Sequence, residues 1–252
     1  MSQLAGFGLA VAIGVTLGML GGGGSILTVP VFVYVMGFEA KDAIAMSLPV
    51  VGTTSLVGAL GHWREGNVDL RAVAVFGPLA MLGALGGARL ATRVSGTFQL
   101  SLLGVVMVAA GLLMFRDGVA ARDAPAPLTG GSPRYAVLAA GGLAVGVLTG
   151  LVGVGGGFLI VPALVLVGGI PIRHAIGTSL FVITLSTGTA LAAYEGQASI
   201  AWVVVAAFTA LAVAGAVVGT RVARRVPSGG LRRAFGLLVL VLGGFILSQS
   251  RS

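Results

Sequence analysis

At 252 residues, 57% hydrophobic and only 9% charged, with a mean hydropathy of +1.08, this chain is too apolar for a water-soluble domain and reads as a polytopic membrane protein. The absence of cysteine excludes disulfides, thiolate metal sites and cysteine nucleophiles. The net charge of +8 is not a nucleic-acid signal, because arginines gathered in short loops between apolar runs are what the positive-inside rule produces, and too little sequence is left over for a nucleic-acid domain.

Residues 1–38 carry no charge. They lack the basic start and small-residue cleavage site of a secretory signal and are expected to belong to the mature protein. As one helix they would be about 57 Å long, against a hydrocarbon core of about 30 Å. The run must therefore divide, and Gly21–Gly24 is where it divides, since glycine gains most from being unfolded. The pieces lie near 4–20 and 25–37, and the second, with Pro30 inside it, is short for a full span. It is expected to be a half-helix or a re-entrant segment. Glu39, Lys41 and Asp42 precede a segment near 42–61; Arg64, Glu65, Asp69 and Arg71 separate it from one near 70–90; Arg89 and Arg93 separate that from one near 97–115. A polar stretch, 116–133, with Pro125, Pro127, Gly130, Gly131 and Pro133, reads as a linker. Then the pattern restarts. Residues 135–172 form a second uncharged run of 38, divided into pieces near 135–152 and 157–169, and further segments follow near 173–193, 199–221 and 231–248. The expected organisation is a first membrane repeat, 1–115, the linker, and a second membrane repeat, 134–252.

The halves repeat in detail. Gly18-Met19-Leu20-Gly21-Gly22-Gly23-Gly24-Ser25-Ile26-Leu27-Thr28-Val29-Pro30 returns 132 residues later as Gly150-Leu151-Val152-Gly153-Val154-Gly155-Gly156-Gly157-Phe158-Leu159-Ile160-Val161-Pro162. At the same shift Lys41-Asp42-Ala43-Ile44-Ala45-Met46-Ser47-Leu48 aligns with Arg173-His174-Ala175-Ile176-Gly177-Thr178-Ser179-Leu180. Five crossings per half would invert the second half relative to the first, and four would leave the halves parallel. Inversion collects Arg64, Arg71, Arg116, Arg122, Arg134, Arg173 and the Arg221–Arg233 cluster on one face, leaving Lys41, Arg89, Arg93 and Arg251 on the other, with both termini outside. The fold class expected is thus all-α and polytopic, with two homologous halves, inverted on this count, and a glycine-broken helix or re-entrant segment in each.

Paired breaks of this kind are the sequence pointer to the substrate site of a secondary transporter. Backbone N–H groups freed at Gly23, Gly24 and Ser25, and at Gly155, Gly156 and Gly157, together with the dipole of the helix that follows, favour an anion. Close helix packing is the competing explanation for the glycines. Ser47 and Ser179, equivalent in the two halves, offer hydroxyls within the membrane, as does Thr178; bonding back to a carbonyl of the same helix is the plainer role. Lys41 and Arg173 suit an anion vestibule, or simply mark a membrane edge. Ionisable groups lie only at segment ends. If protons couple, His62, Glu65, His174 and Glu195 are the candidates, with solvated loop ends the simpler reading. Neither paired carboxylates nor a nucleophile–base set appears, so no enzyme, metal or cofactor is expected.

The duplicated glycine–proline motif, together with Ala175-Ile176-Gly177-Thr178-Ser179-Leu180, resembles the sulfite exporter TauE/SafE family of membrane permeases. Length, duplicated halves and the polar linker agree. The resemblance implies a secondary transporter of small sulfur-containing anions, such as sulfite or short organosulfonates, by alternating access. The expected setting is multi-pass in the cell membrane, of the bacterial inner-membrane type, with the lipid bilayer and a small anion as partners. A passive anion channel, a carrier of another small organic anion and a non-transporting scaffold are the alternatives. The first copy departs at Met46, where the second has Thr178, and at Ser25, where the second has Gly157.

Overall fold

The computed structural model describes residues 2–91, 94, 96–116, 132–152, 157–194 and 200–249. Among these the chain is helical: α1 (Ser2–Leu20), α2 (Ser25–Pro30), α3 (Ala40–Arg64), α4 (Leu70–Ala91) and α5 (Gly96–Arg116) in the first half, and α6 (Ser132–Val152), α7 (Gly157–Pro162), α8 (Ile172–Tyr194), α9 (Trp202–Arg225) and α10 (Ser228–Gln249) in the second.

Both long uncharged runs divide at their glycines. α1 stops at Gly21, whose φ of 76° and ψ of −131° suit a residue without a side chain. One 3-10 turn, Gly22–Gly24, leads into α2. Pro30 and Pro162 have no N–H to continue the α-helical ladder. A π-helical turn follows each, Val31–Val35 and Ala163–Val167. Its closing bonds recur at the 132-residue shift: Met36 N–H to the Val31 carbonyl and Gly168 N–H to that of Ala163, both 3.0 Å. The second arm then runs back beside the first. A Cβ placed on Gly6 would lie 2.8 Å from Met36 Cγ, and one on Gly168 would lie 2.8 Å from Leu138 Cδ2. Of the two forms expected for the short pieces, the re-entrant one is present: each half opens with two helical arms lying side by side, and in the first half the tip between them is the glycine cluster.

The helices pair across the halves, not within them. α1 lies along α9 and α4 along α6. Gly14 and Gly18 sit on the backbone of Ala212 and Ala216, while Gly215 and Gly219 sit on Val11 and Val15. The same seam recurs 132 residues away, where Gly146 and Gly150 meet Ala80 and Ala84, and Gly83 and Gly87 meet Leu143 and Val147. Lipid gives helices no hydrophobic reason to associate, so close backbone approach through small residues supplies the contact. In both seams residue numbers rise together, so the paired helices are parallel. Equivalent helices do the opposite. Gly52 and Gly58 of α3 face Thr187 and Leu180 of α8, and Gly104 and Gly111 of α5 face Gly243 and Gly236 of α10. One number rises as the other falls.

Among the described residues three helical stretches, Asp42–Arg64, Leu70–Gly87 and Trp202–Arg225, are long and apolar enough to cross a membrane. Large apolar side chains on the outer faces, among them Leu82, Leu85, Val203 and Val241, are exposed, as a lipid-facing surface requires. Inside, the Phe32 and Phe208 rings lie 4.8 Å apart and join the hairpin to α9.

One end of the bundle gathers arginines. There Arg173 donates to the carbonyls of Ala223 (3.1 Å) and Val226 (2.7 Å), Arg232 donates to Met114 O (3.0 Å), and Arg224 pairs with Glu65. His62 lies close by and corrects an expectation. It is not a solvated segment end but 3% exposed. α3 continues past the 42–61 segment to Arg64, and Gly177 of α8, having no side chain, lets the histidine pack against it.

Candidate functional site

The first hairpin tip and the start of α7 are in direct contact. A Cβ on Gly22 would overlap the Gly157 carbonyl and lie 2.7 Å from the Phe158 nitrogen. A Cβ on Gly21 would lie 2.7 Å from Ser179 Oγ and 3.1 Å from Val161 Cγ2. One on Gly157 would lie 2.8 Å from Ile183 Cδ1, midway along α8, and 3.1 Å from Ser25 Oγ. Gly21, Gly22, Ser25, Gly157 and Ser179, from both halves, thus form one junction at mid-height of the bundle. Gly23 and Gly24 complete the 3-10 turn at its edge. Gly155 and Gly156 lie outside the described residues.

The hydroxyls at the junction bond locally. Ser25 donates to Gly22 O (2.6 Å) and Ser179 to Ile176 O (2.8 Å). Ser47, the counterpart of Ser179, donates to Ile44 O (2.7 Å) and is also buried. These bonds do not consume the groups. A neutral hydrogen bond is worth about 1 kcal/mol net, and one to a charged group about 1.5–3 kcal/mol, so a hydroxyl gains by turning from its carbonyl to an anion.

The other candidates lie away from the junction or serve the scaffold. Thr178, buried, accepts a hydrogen bond from Asp69 N–H (3.0 Å), which fixes the α3–α4 loop to α8. Arg173, proposed for a vestibule, closes the last turn of α9 through its two carbonyl contacts. Lys41 opens α3, with its side chain outside the described set. Glu65 takes bonds from Arg224 and from Asn67 (3.2 Å). His174 has a buried Nδ1 without a partner. Glu195 lies outside the described residues. Composition also hid the glycine seams: the repeat exposes Gly83 and Gly215 as equivalent, but not the helix against which each packs.

Residues 6–246 match the model of the family described as "Sulfite exporter TauE/SafE". The chain belongs to that family. It is 33% identical over 243 residues to a probable membrane transporter protein of Xylella fastidiosa (strain 9a5c), covering 94% of this chain and 92% of that protein. It is 27% identical over 239 residues to the probable membrane transporter protein YdhB of Bacillus subtilis (strain 168), with 93% and 96% covered. Similarity reaches the probable membrane transporter protein MJ0441 of Methanocaldococcus jannaschii, 24% identical over 200 residues, with 74% and 71% covered. No solved structure matches the chain. As a member of the TauE/SafE family, this is a membrane transporter, and the two hairpins are the natural place to look for what it moves.

Proposed function

We propose that this TauE/SafE protein carries a small sulfur-containing anion, such as sulfite or a short organosulfonate, across the cell membrane by alternating access, with the anion held where the first hairpin tip meets the start of α7. The observation that carries the reading is the junction of Gly22 with Gly157 beside Ser25 and Ser179. Helix starts and hydroxyls from both halves converge there, and among the described residues no fixed cation sits with them. A small anion loses much hydration energy on entry, and dense hydrogen bonding has to replace it. Neutral donors do so without the tight hold of a buried arginine, which suits a site that must also release.

The halves act, on this reading, as inverted repeats about an axis in the membrane plane. Support comes from equivalent helices that run in opposite directions, α3 against α8 and α5 against α10. The arginine-rich end, with the 116–133 linker, is then cytoplasmic and both termini are outside. Because the chain has no cysteine, single cysteines report topology without background. Cysteines at Gly66 and Gly229 are expected to react only with reagent admitted to the cytoplasm, and one at Gly37 with external reagent. External labelling at Gly66 would overturn the orientation.

Transport of labelled sulfite, sulfoacetate, thiosulfate and sulfate in proteoliposomes tests the function. Saturable flux with counterflow is expected, and linear flux without counterflow would indicate a channel. Ser179→Ala and Ser47→Ala each remove one donor to a charged ligand. Each is expected to weaken anion binding by roughly ten- to a hundred-fold, the equivalent of about 1.5–3 kcal/mol, with an unchanged melting curve in detergent. Normal binding in both folded variants would move the site elsewhere.

A further inference from the structure

We propose that His62 is a proton-binding site built into this transporter, and that a proton there and an anion at the hairpin tips favour each other's binding. The inference rests on the carrier reading above and adds the coupling ion.

His62 is 3% exposed, and its Nε2 lies 3.1 Å from the carbonyl oxygen of Gly18. A carbonyl only accepts, so Nε2 carries the hydrogen. That leaves Nδ1 with a free lone pair, and in its buried setting it has no hydrogen-bond partner. A buried acceptor left unmatched costs free energy, and a side chain kept only for packing has no need of it. The lone pair is where a proton from water adds. One N–H bond forms as one O–H bond of hydronium breaks, water is left behind, and the neutral ring becomes an imidazolium that keeps its bond to Gly18.

The position joins this charge change to the junction. Gly18 is three residues before Gly21 on the first arm of the hairpin. Gly177, whose Cβ position is 2.9 Å from His62 Cβ, is two residues before Ser179 on α8. His62 therefore touches both elements that meet at the tip. The Gly18 carbonyl is also reached by Thr220 of α9, 3.4 Å away. The charged groups whose fields reach the ring are Glu65 from the loop after α3, Arg173 from α8 and Arg224 from α9. α1 brings none, since residues 1–38 are uncharged. Glu65 is held by Arg224, so an arriving proton adds net positive charge at this end of the hairpin, and an anion at the tip offsets it. Linkage makes the effect mutual: whatever factor the proton contributes to anion affinity, the anion returns to proton affinity. At the 132-residue shift His62 aligns with Tyr194, so the second half carries no histidine at the equivalent place.

The chain has two histidines, so 15N-histidine NMR of the whole protein in nanodiscs resolves this site directly, with His62→Gln and His174→Gln assigning the two sets of signals. The His62 ring is expected to take up a proton reversibly as the folded protein is brought from neutral to acidic pH. A ring that stays in one form over that range overturns the proposal, whether or not any anion binds. The anion probe is methanesulfonate, which stays ionised throughout. Wild type is expected to bind it about five-fold or more tightly at the lower pH, and uptake into proteoliposomes loaded with a pH dye to acidify the lumen. In His62→Gln the amide still donates to Gly18 but takes no proton, so affinity is expected to be equal at both pH values and uptake to proceed without acidification. Retained pH dependence or retained proton movement in that variant refutes the coupling. Absence of methanesulfonate binding by wild type at either pH counts against the carrier reading and against the coupling built on it, while the histidine signals still decide whether His62 takes a proton.

Discussion

A Gly22→Val protein is expected to fold, reach the membrane and carry almost no anion. The Cβ atom has one position once the backbone is set, and at Gly22 that position falls on the Gly157 carbonyl and 2.7 Å from the Phe158 nitrogen. No rotamer choice relieves a clash between a Cβ and backbone, so the tips have to part. Overpacking of this kind costs about 1–3 kcal/mol, a roughly five- to hundred-fold loss of the state in which the tips touch. The seams that hold the bundle together are elsewhere, so the loss is expected in transport before stability. Gly22→Ala should be nearly as damaging, because the offending atom is already present in alanine. The check is proteoliposome flux beside thermal unfolding and monodispersity in detergent. Normal flux in Gly22→Val would show that the tip contact is not part of the working cycle.

Gly14→Val and Gly146→Val are expected to destabilise the protein severely and equally. Their Cβ positions lie within 2.7–2.9 Å of the carbonyl carbons and Cα atoms of Ala212 and Ala80. The two sites are 132 residues apart, and so are their partners. In lipid the seam is held by backbone proximity rather than by exclusion of water. Forcing it open therefore removes most of what joins α1 to α9 or α6 to α4, and a loss of about 3 kcal/mol or more is expected for each. Gly8→Val, with nothing within 4 Å of its Cβ position, is the control and should melt like wild type. Tolerance of valine at 146 but not at 14 would show that the two seams do not carry equal weight.

The breaks were legible because clustered glycines and an uncharged run too long for one helix are both local properties. The fold-back was not. A half-helix and a re-entrant arm have the same composition, and only the meeting of Gly6 with Met36 and of Leu138 with Gly168 distinguishes them. The 132-residue shift makes Gly14 and Gly146 equivalent, yet it leaves their partners unknown, since small residues look alike until a second helix is against them. His62 was misread for a related reason. Charge spacing places it at a segment end, but its burial is decided by a glycine more than a hundred positions away. Arg173 was legible as a cation at a membrane edge, and its guanidinium instead closes the end of α9 through carbonyls that no sequence pattern marks. Of the residues that meet at the junction, Ser179 was singled out because a serine recurs at 47, and Ser25 and Gly157 because they close the glycine clusters, whereas Gly21 and Gly22, which make the contact, stood in the same cluster without being singled out as donors.

The exchange of partners between halves also dictates an order of manufacture. α1 leaves the ribosome first, yet the helix it rests on, α9, is about two hundred residues further along. At roughly 5–20 residues per second, α1 and its hairpin wait in the bilayer for ten seconds or more, with the glycine face uncovered. α4 has a far shorter wait, because α6 follows directly after the linker. Assembly therefore has to proceed from the middle of the chain outwards, with α4 and α6 docking first, α1 secured only once α9 is made, and α5 completed last by α10. A nascent chain halted before α9 would leave its own beginning unclaimed, and open to whatever membrane chaperone or protease recognises an unpaired helix.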